Sequence, residues 1–325
     1  MVAIFGRGVS AIYQIQSAFA QWPAGGEWVR LDAYERSDGE TRPREIDPLL
    51  GSGGVNNRDP VASAPGLNQG GGQIQAPLCM RQLGYWLCAT FGAPETSEDA
   101  GVFTHVWESG KDVLASLAQS KRLASGMFRR TRGLTINTLA INAAKEAGYP
   151  RVTLGAMLRD EALAEAEATG DVVTLALLRQ AASRWFVKRN GAEMAATAVT
   201  FNYSNQIERY DPLSDTDGEY PAALDPGDSL PTGSFTTRYE STVYDLLADA
   251  ATPQPYEFGQ RIQNAFGPGK HASWSARVNN AVLDKGPLPV TAPGRLFQTQ
   301  NFTAEQSDEA PAVTFTLVND VEGYP

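Results

Sequence analysis

Gly70-Gly71-Gly72-Gln73-Ile74-Gln75-Ala76, then Met80-Arg81-Gln82-Leu83-Gly84-Tyr85-Trp86-Leu87-Cys88-Ala89-Thr90-Phe91, is the stretch around which the chain is organised. Three glycines and a short polar/apolar alternation predict a turn and a strand, and the apolar run that follows is compatible with a helix. The same order returns at residues 231–250. Pro231-Thr232-Gly233-Ser234-Phe235-Thr236-Thr237-Arg238-Tyr239 leads into Ser241-Thr242-Val243-Tyr244-Asp245-Leu246-Leu247-Ala248-Asp249-Ala250. A second correspondence supports a degenerate duplication. Residues 134–142 and 151–158 alternate as strands in the first half, and residues 296–304 and 312–319 do so in the second.

Working outward, residues 11–16 and 27–31 read as short strands on either side of the Pro23-Ala24-Gly25-Gly26 turn. Periodicity then fails from 36 to 69, where Pro43, Pro48, Pro60, Pro65 and Gly51-Ser52-Gly53-Gly54 interrupt charges of both signs. Such a long aperiodic segment in a compact fold is expected to be a functional arm or to be disordered. Residues 94–101 read as an acidic loop, and 102–108 as a strand with Phe103 and Trp107 on one face and His105 between them. The Glu161-Ala162-Leu163-Ala164-Glu165-Ala166-Glu167 run favours a short surface helix or an acidic loop. Asn190-Gly191 between strand-like flanks is a two-residue hairpin signal, and 198–204 is a strand. Residues 211–231 read as a turn-rich acidic loop, and Pro253 and Pro255 as a break.

Length and composition bound the function. A chain of 325 residues accommodates two domains, and its 31 Gly and 20 Pro favour many short strands over long helices. The expected division is 1–195 and 196–325. With 27 Lys and Arg against 37 Asp and Glu, the net charge is −10, and no concentrated basic run offers counterion release from nucleic acid. Cys79 and Cys88 fall on nearly opposite faces of a helix. They are expected as small buried residues in a chain kept in a reducing compartment. Residues 1–22 lack a basic region ahead of an apolar core, and no run approaches the ~18 apolar residues of a membrane span. The expectation is a protein without a signal peptide or membrane segment.

Catalytic signatures fail on inspection. Gly51-Ser52-Gly53-Gly54 and Gly70-Gly71-Gly72 lack both the Lys-Ser/Thr of a phosphate loop and the strand and helix that dinucleotide binding needs. No serine sits in a nucleophile elbow. His105 and His271, the two histidines, have no ligand-type companions at metal spacing. Asp215-Thr216-Asp217-Gly218-Glu219 hints at a calcium loop, but Leu213 and Leu224 would occupy its first and last ligand positions. A pair of carboxylates meeting in a cleft stays open as an acid and base.

The order of elements resembles the two-domain tail tube proteins of long-tailed, siphovirus-type bacteriophages. The resemblance is carried by Gly8-Val9-Ser10-Ala11-Ile12-Tyr13, Arg30-Leu31, Leu67-Asn68-Gln69-Gly70-Gly71-Gly72-Gln73-Ile74, Leu87-Cys88-Ala89-Thr90-Phe91-Gly92 and Phe103-Thr104-His105-Val106-Trp107. In the second half it is carried by Phe201-Asn202-Tyr203-Ser204-Asn205-Gln206, Thr232-Gly233-Ser234-Phe235-Thr236, Pro287-Leu288-Pro289-Val290 and Ala312-Val313-Thr314-Phe315-Thr316-Leu317-Val318-Asn319. It implies a mainly β fold: two tandem β-sandwich domains, each with a short flanking α-helix, whose inner sheets join those of neighbours into an intersubunit β-barrel. Closing the sheets in a ring removes their exposed edges.

A duplicated chain would then form homotrimeric, pseudo-hexameric rings. These would stack into a hollow conduit for phage DNA, with no catalysis, cofactor or metal. The resemblance further implies the tape measure protein and transient DNA in the lumen, and terminator and tip proteins at the ends. Assembly would take place in the host cytoplasm. The arm at 36–69, through Arg42, Arg44, Glu45, Asp47, Arg58 and Asp59, is the expected inter-ring contact, and the channel wall is expected to lean acidic. Two alternatives stand beside this reading. One is a tail-tip or completion protein of the same fold. The other is a β-sandwich glycan-binding module or enzyme with Trp107, Trp185 or Trp274 in an exposed cleft.

Overall fold

The computed structural model describes residues 6–47, 62–214, 216–239, 252–284, 290 and 295–325. Up to residue 77 the strands are β1 (Ser10–Ile15), β2 (Glu27–Arg30), β3 (Glu35–Arg36), β4 (Gly39–Thr41), β5 (Arg44–Ile46), β6 (Ser63–Pro65) and β7 (Gln69–Pro77). The helix α1 (Leu83–Phe91) precedes β8 (Glu95–Asp99), β9 (Val102–Glu108), β10 (Leu117–Ala124), β11 (Met127–Ala144), β12 (Arg151–Met157), β13 (Asp160–Ala164) and β14 (Asp171–Thr174). Then come β15 (Phe186–Arg189), β16 (Ala192–Glu193), β17 (Ala196–Ser204), β18 (Glu208–Tyr210), β19 (Ala223–Asp225) and β20 (Leu230–Arg238). β21 (Gln254–Ile262), β22 (Ala272–Leu283), β23 (Phe297–Glu305) and β24 (Val313–Asn319) follow. The protein is mainly β, with one α-helix among the described residues.

The glycine triplet lets β7 sit tightly between neighbours. A Cβ on Gly70 would lie 2.5 Å from the Leu158 carbonyl oxygen, and one on Gly72, where φ is +147°, would lie 2.4 Å from that of Ser37. Helix α1 follows and ends at Gly92, whose φ of 84° turns the chain while its N–H caps Cys88. All of its residues except Tyr85 are buried, as expected of a helix apolar all round. Nine residues are too few to hold a helix alone, so packing holds it. Phe91 lies 4.6 Å from the Tyr203 ring and 5.2 Å from that of Phe315, and Trp86 meets Tyr13 edge-on at 5.1 Å. Each such ring taken from water contributes roughly 2–3 kcal/mol.

Around this wedge the strands form one hydrogen-bonded system of 20, which folds into two facing layers and a smaller flank. The first layer runs β7, β12, β11, β17, β20, β23, with β3 and β4 against the outer side of β7. The second runs β8, β9, β24, β22, β21, β15, β16. β22 belongs to both, because residues 273–278 pair with β24 and residues 280–283 pair with β23. The flank is β13, β11, β10, β1, β2 and β14, with β14 parallel to β2. β11 turns from flank to first layer near Gly133, at φ 62°, and a register shift between Ile136 and Thr138. Phe201 touches both Phe258 and Phe315 across the gap between the layers, each at 5.7 Å.

Several local expectations hold. Asn190 and Gly191 both take positive φ, 49° and 78°, and join β15 to β16 in a two-residue hairpin. Phe103, His105 and Trp107 share one face of β9, and both cysteines are free and buried. Others are corrected. The Glu/Ala-rich run is not a helix, because Asp160–Ala164 is strand β13, held to β11 by Arg132–Asp160 and Arg129–Glu161 ion pairs. The acidic loop at 94–101 contains the edge strand β8, whose charges suit an exposed edge. Pro255 does not break the chain, since the register shift between Gln254 and Tyr256 absorbs it inside β21. Residues 211–231 contain β19, paired with β18.

The expected helix at 241–250 lies outside the described residues, as do most of Pro287-Leu288-Pro289-Val290 and the Gly51-Ser52-Gly53-Gly54 run. Of the strands matched by internal repetition, β12 lies beside β7 in the first layer, whereas β24 lies between β22 and β9 in the second.

Candidate functional surface

Apart from register shifts at Ile136/Thr138 and Ala196/Ala198, the first layer alternates, and its two faces differ in kind, the inner one largely apolar but including the buried Gln298 and Gln300 of β23. Inward go Ile74 and Ala76, Val152 and Leu154, Leu139 and Ile141, Phe201 and Tyr203, Phe235 and Phe302, all buried. The opposite positions form rows across the sheet. Gln75, Thr153, Ala140, Asn202, Thr232 and Thr303 are direct neighbours in register, and Asn142, Thr200, Ser234 and Asn301 form the next row. Hydroxyl pairs bind strands on this face: Thr200 to Ser234 at 2.7 Å and Thr236 to Thr299 at 2.8 Å.

Charge is almost absent from it. Across β7, β12, residues 134–144 of β11, β17, β20 and β23, the charged residues are Arg151, Arg238 and Glu305, each at a strand end. In a chain with 20% charged residues, six adjacent strands have neutral centres. The exposed side of the second layer shows the contrast, carrying Glu95, Glu108, Lys188, Glu257, Arg261 and Arg277. The neutral face was readable in part: Thr, Asn, Ser and Ala fill the polar positions of 135–144, 198–204, 232–236 and 299–303. What sequence alone withheld was that these strands are neighbours.

The segment expected to carry inter-ring contacts is rooted in buried charge. Arg36 donates to the Tyr13 hydroxyl and to the Leu31 carbonyl, and burial pulls its guanidinium down to about 10 against the opposing pull of Asp38. Lys121 lies 2.9 Å from the buried Asp38 carboxylate and donates to its main-chain carbonyl. Beyond this root, β5 and β6 pair into a hairpin exposed at every position. Arg42 reaches Glu219 at 3.4 Å, Arg44 donates to Ser63, Glu45 is exposed and Asp47 donates its N–H to the Ala62 carbonyl. Arg58 and Asp59 lie outside the described residues.

His105 is fixed in the interior. Its Nε2–H donates to the Val321 carbonyl at 3.0 Å and its Nδ1 accepts from Thr96, a neutral tautomer consistent with burial holding its pKa below the ordinary value. Among the described residues, no group of three His, Cys, Asp or Glu has metal-binding geometry. Trp107 and Trp274 are fully buried, and Trp185 packs edge-on against Trp274 at 5.7 Å, so the tryptophans serve the interior rather than a cleft. A groove of about 470 Å³ beside β1 and β2 holds Tyr13, Tyr85 and Tyr324, with Glu27 as its one acidic side chain. Burial, then Glu27, pushes the Tyr85 hydroxyl up to about 12.

Two sheets packed face to face, one neutral on its open side, define a β-sandwich. A family model described as phage tail tube protein matches residues 16–304, and the chain belongs to that family. It is thus a structural component of the virion tail, in a family that builds a tube with other tail components and points away from enzymatic activity. A search of curated protein sequences returns no match. No helix of the described residues is long and apolar enough to cross a membrane.

Proposed function

We propose that this chain is the major subunit of the tail tube, polymerising as stacked rings around a channel for DNA, with the neutral face of the first layer turned to the lumen. The observation that carries the reading is the absence of charge from six neighbouring strand centres. A polyanion sliding past cationic groups is held by them, and sliding past carboxylates it is repelled. A wall of hydroxyls, amides and methyl groups does neither, in place of the acidic wall that the resemblance implied.

Ring size follows from strand arithmetic. Residues 1–195 supply β7, β12 and β11 and residues 196–325 supply β17, β20 and β23, an equal share that favours two tandem halves. Three copies give about 18 strands, which at ~4.8 Å spacing and ~40° tilt close at a backbone diameter of about 36 Å. That leaves room for one duplex inside the side chains. Six copies would give about twice that diameter, far wider than a duplex needs. The arm at 36–69, with Arg42, Arg44, Glu45 and Asp47 and with Arg58 and Asp59, reaches the next ring. The lumen takes the tape measure protein during assembly and DNA on delivery. Terminator and tip proteins cap the ends, and assembly occurs in the host cytoplasm before release in long-tailed particles.

Negative-stain microscopy of the purified protein over a concentration series, with the mass of its smallest stable ring, tests this. Hollow tubes and three-copy rings support it, single rings that never extend favour a tail-tip or completion role, and monomers at every concentration overturn it.

A further inference from the structure

The two ends of the first layer differ in charge. At one end, where Arg151 faces Pro77 and Ala144 faces Ala198, Arg151 stacks over Tyr34 at 4.4 Å and Arg179 over Tyr149 at 4.1 Å. Arg179 also donates to the Tyr34 hydroxyl at 2.9 Å. Both tyrosines are exposed, at 45% and 50%. Ala182 donates to the Gly148 carbonyl, which brings the exposed Arg184 to the same end, where the β11–β12 turn adds the exposed Lys145 and, beside it, the exposed Glu146. None of these four cations forms an ion pair with the described residues.

At the other end, where Met157 faces Gly71 and Ser204 faces Leu230, residues 109–112, Asn205, residues 226–229, Gln306 and Ala312 line one shared depression. Asp112 and Asp228 line it, and Glu208, Asp225, Asp308 and Glu309 lie on the neighbouring segments; all six are exposed and form no ion pair with the described residues. The nearby cations are engaged, Lys111 with the Ala93 carbonyl and Arg209 with Asp211.

We infer that these ends are the two halves of one heterologous interface, the Tyr34/Tyr149/Arg151/Arg179 patch of one copy docking on the carboxylate end of a copy in the next ring. The inference rests on the tube reading, in which strands run from one face of the ring to the other. Within a chain the ends are separated by the length of β12, about 20 Å, roughly two Debye lengths, so they do not neutralise each other. Stacked tyrosine and arginine are the side chains that dominate protein interfaces. Since the patches differ, their contact cannot close on itself and generates an open filament of fixed polarity.

The test compares Arg151→Glu/Arg179→Glu with Asp225→Lys/Asp228→Lys, each full length, by ring mass, thermal melting and microscopy. Each variant is expected to form rings of unchanged mass and to need at least tenfold more protein for tubes. The two mixed are expected to recover tubes, because each supplies the charge that the other lacks. Tubes from either variant at the wild-type concentration, or a mixture with no recovery, would overturn the inference while leaving the conduit intact. Wild-type rings that never stack would instead count against the conduit reading itself.

Discussion

Arg81 and Asp320 form a two-bond ion pair, Nε to Oδ1 at 2.7 Å and Nη2 to Oδ2 at 2.6 Å, that ties the start of helix α1 to the residue after the last strand. The pair spans the sequence from the helix wedge to the final strand and is partly open to solvent. It holds the Asp320 carboxyl below its ordinary range, chiefly through the hydrogen bond from Arg81. Its contribution is therefore present above the usual carboxylate pKa and lost as pH falls through the depressed value. Arg81→Ala is expected to cost about 0.5–1 kcal/mol and to speed amide exchange at Leu83, with little effect on β17 or β20. Unchanged exchange at the helix start would show that the pair is idle.

Tyr324 lies over Gly84, and a Cβ there would come within 2.2 Å of its ring. The same hydroxyl donates to the Arg81 carbonyl and accepts from Asn319. Gly84→Ala should cost about 1–3 kcal/mol by overpacking, read as a lower melting temperature. In Gly84→Ala/Tyr324→Ala the two losses should sum to less than their separate values, because the clash has been removed. Strict additivity would mean that the ring had another way to move.

His105 titrates against the fold. Burial lowers its pKa, outweighing the bonds to Val321 and Asn319, so the folded state holds it neutral. Stability is full above about 6.5 and declines as pH falls below that value, where the unfolded chain takes the proton more readily. Melting temperature followed from pH 8 to 5 should be flat and then fall. His105→Gln should be less stable at pH 8 but show a shallower fall. An equal slope in both would assign the acid sensitivity elsewhere, for instance to His271, lowered by burial and by Arg261.

Asn142 and Asn202 are exposed at the centre of the neutral face. Asn142→Lys/Asn202→Lys should fold and assemble as wild type, since neither side chain is buried. Particles built from it should deliver DNA several-fold more slowly, with the defect relieved by salt as phosphate contacts weaken. Delivery at the wild-type rate would indicate that these positions do not meet DNA.

Removing residues 44–65 should leave rings that cannot stack, given that the described hairpin contributes nothing buried. Normal tubes from this deletion would place all of the stacking energy in the ends of the sandwich.

Legibility in the sequence tracked how local the deciding interaction was. Asn190-Gly191 and the alternation of 198–204 carry their conformations in neighbouring residues and are found as a turn and a strand, whereas Gly70-Gly71-Gly72, expected as a turn, lies inside β7, where Leu158 and Ser37 leave no room for a Cβ. Residues 160–164 do not: their Ala and Glu favour a helix locally, yet β11 offers open backbone and Arg129 and Arg132 at the right register. β21 was hidden by prolines that the chain tolerates only because a bulge sits at 254–256. The neutral face was hidden for another reason. Its rows join strands far apart in sequence, such as Gln75 with Thr153 and Asn202 with Thr232, and adjacency of that kind leaves no periodic mark. Arg42 was expected to contact the next ring; within the chain it pairs with Glu219 and donates to the Gly66 carbonyl, the former on a loop to which the sequence assigned no role.

The most direct test of the account is a cryo-electron microscopy reconstruction of assembled tubes, at a resolution that separates strands. The account predicts that β7, β12, β11, β17, β20 and β23 form the inner wall, with Asn142, Thr200, Asn202 and Thr232 pointing into the lumen. A lumen lined instead by the face carrying Glu108, Glu257 and Arg277 would contradict it.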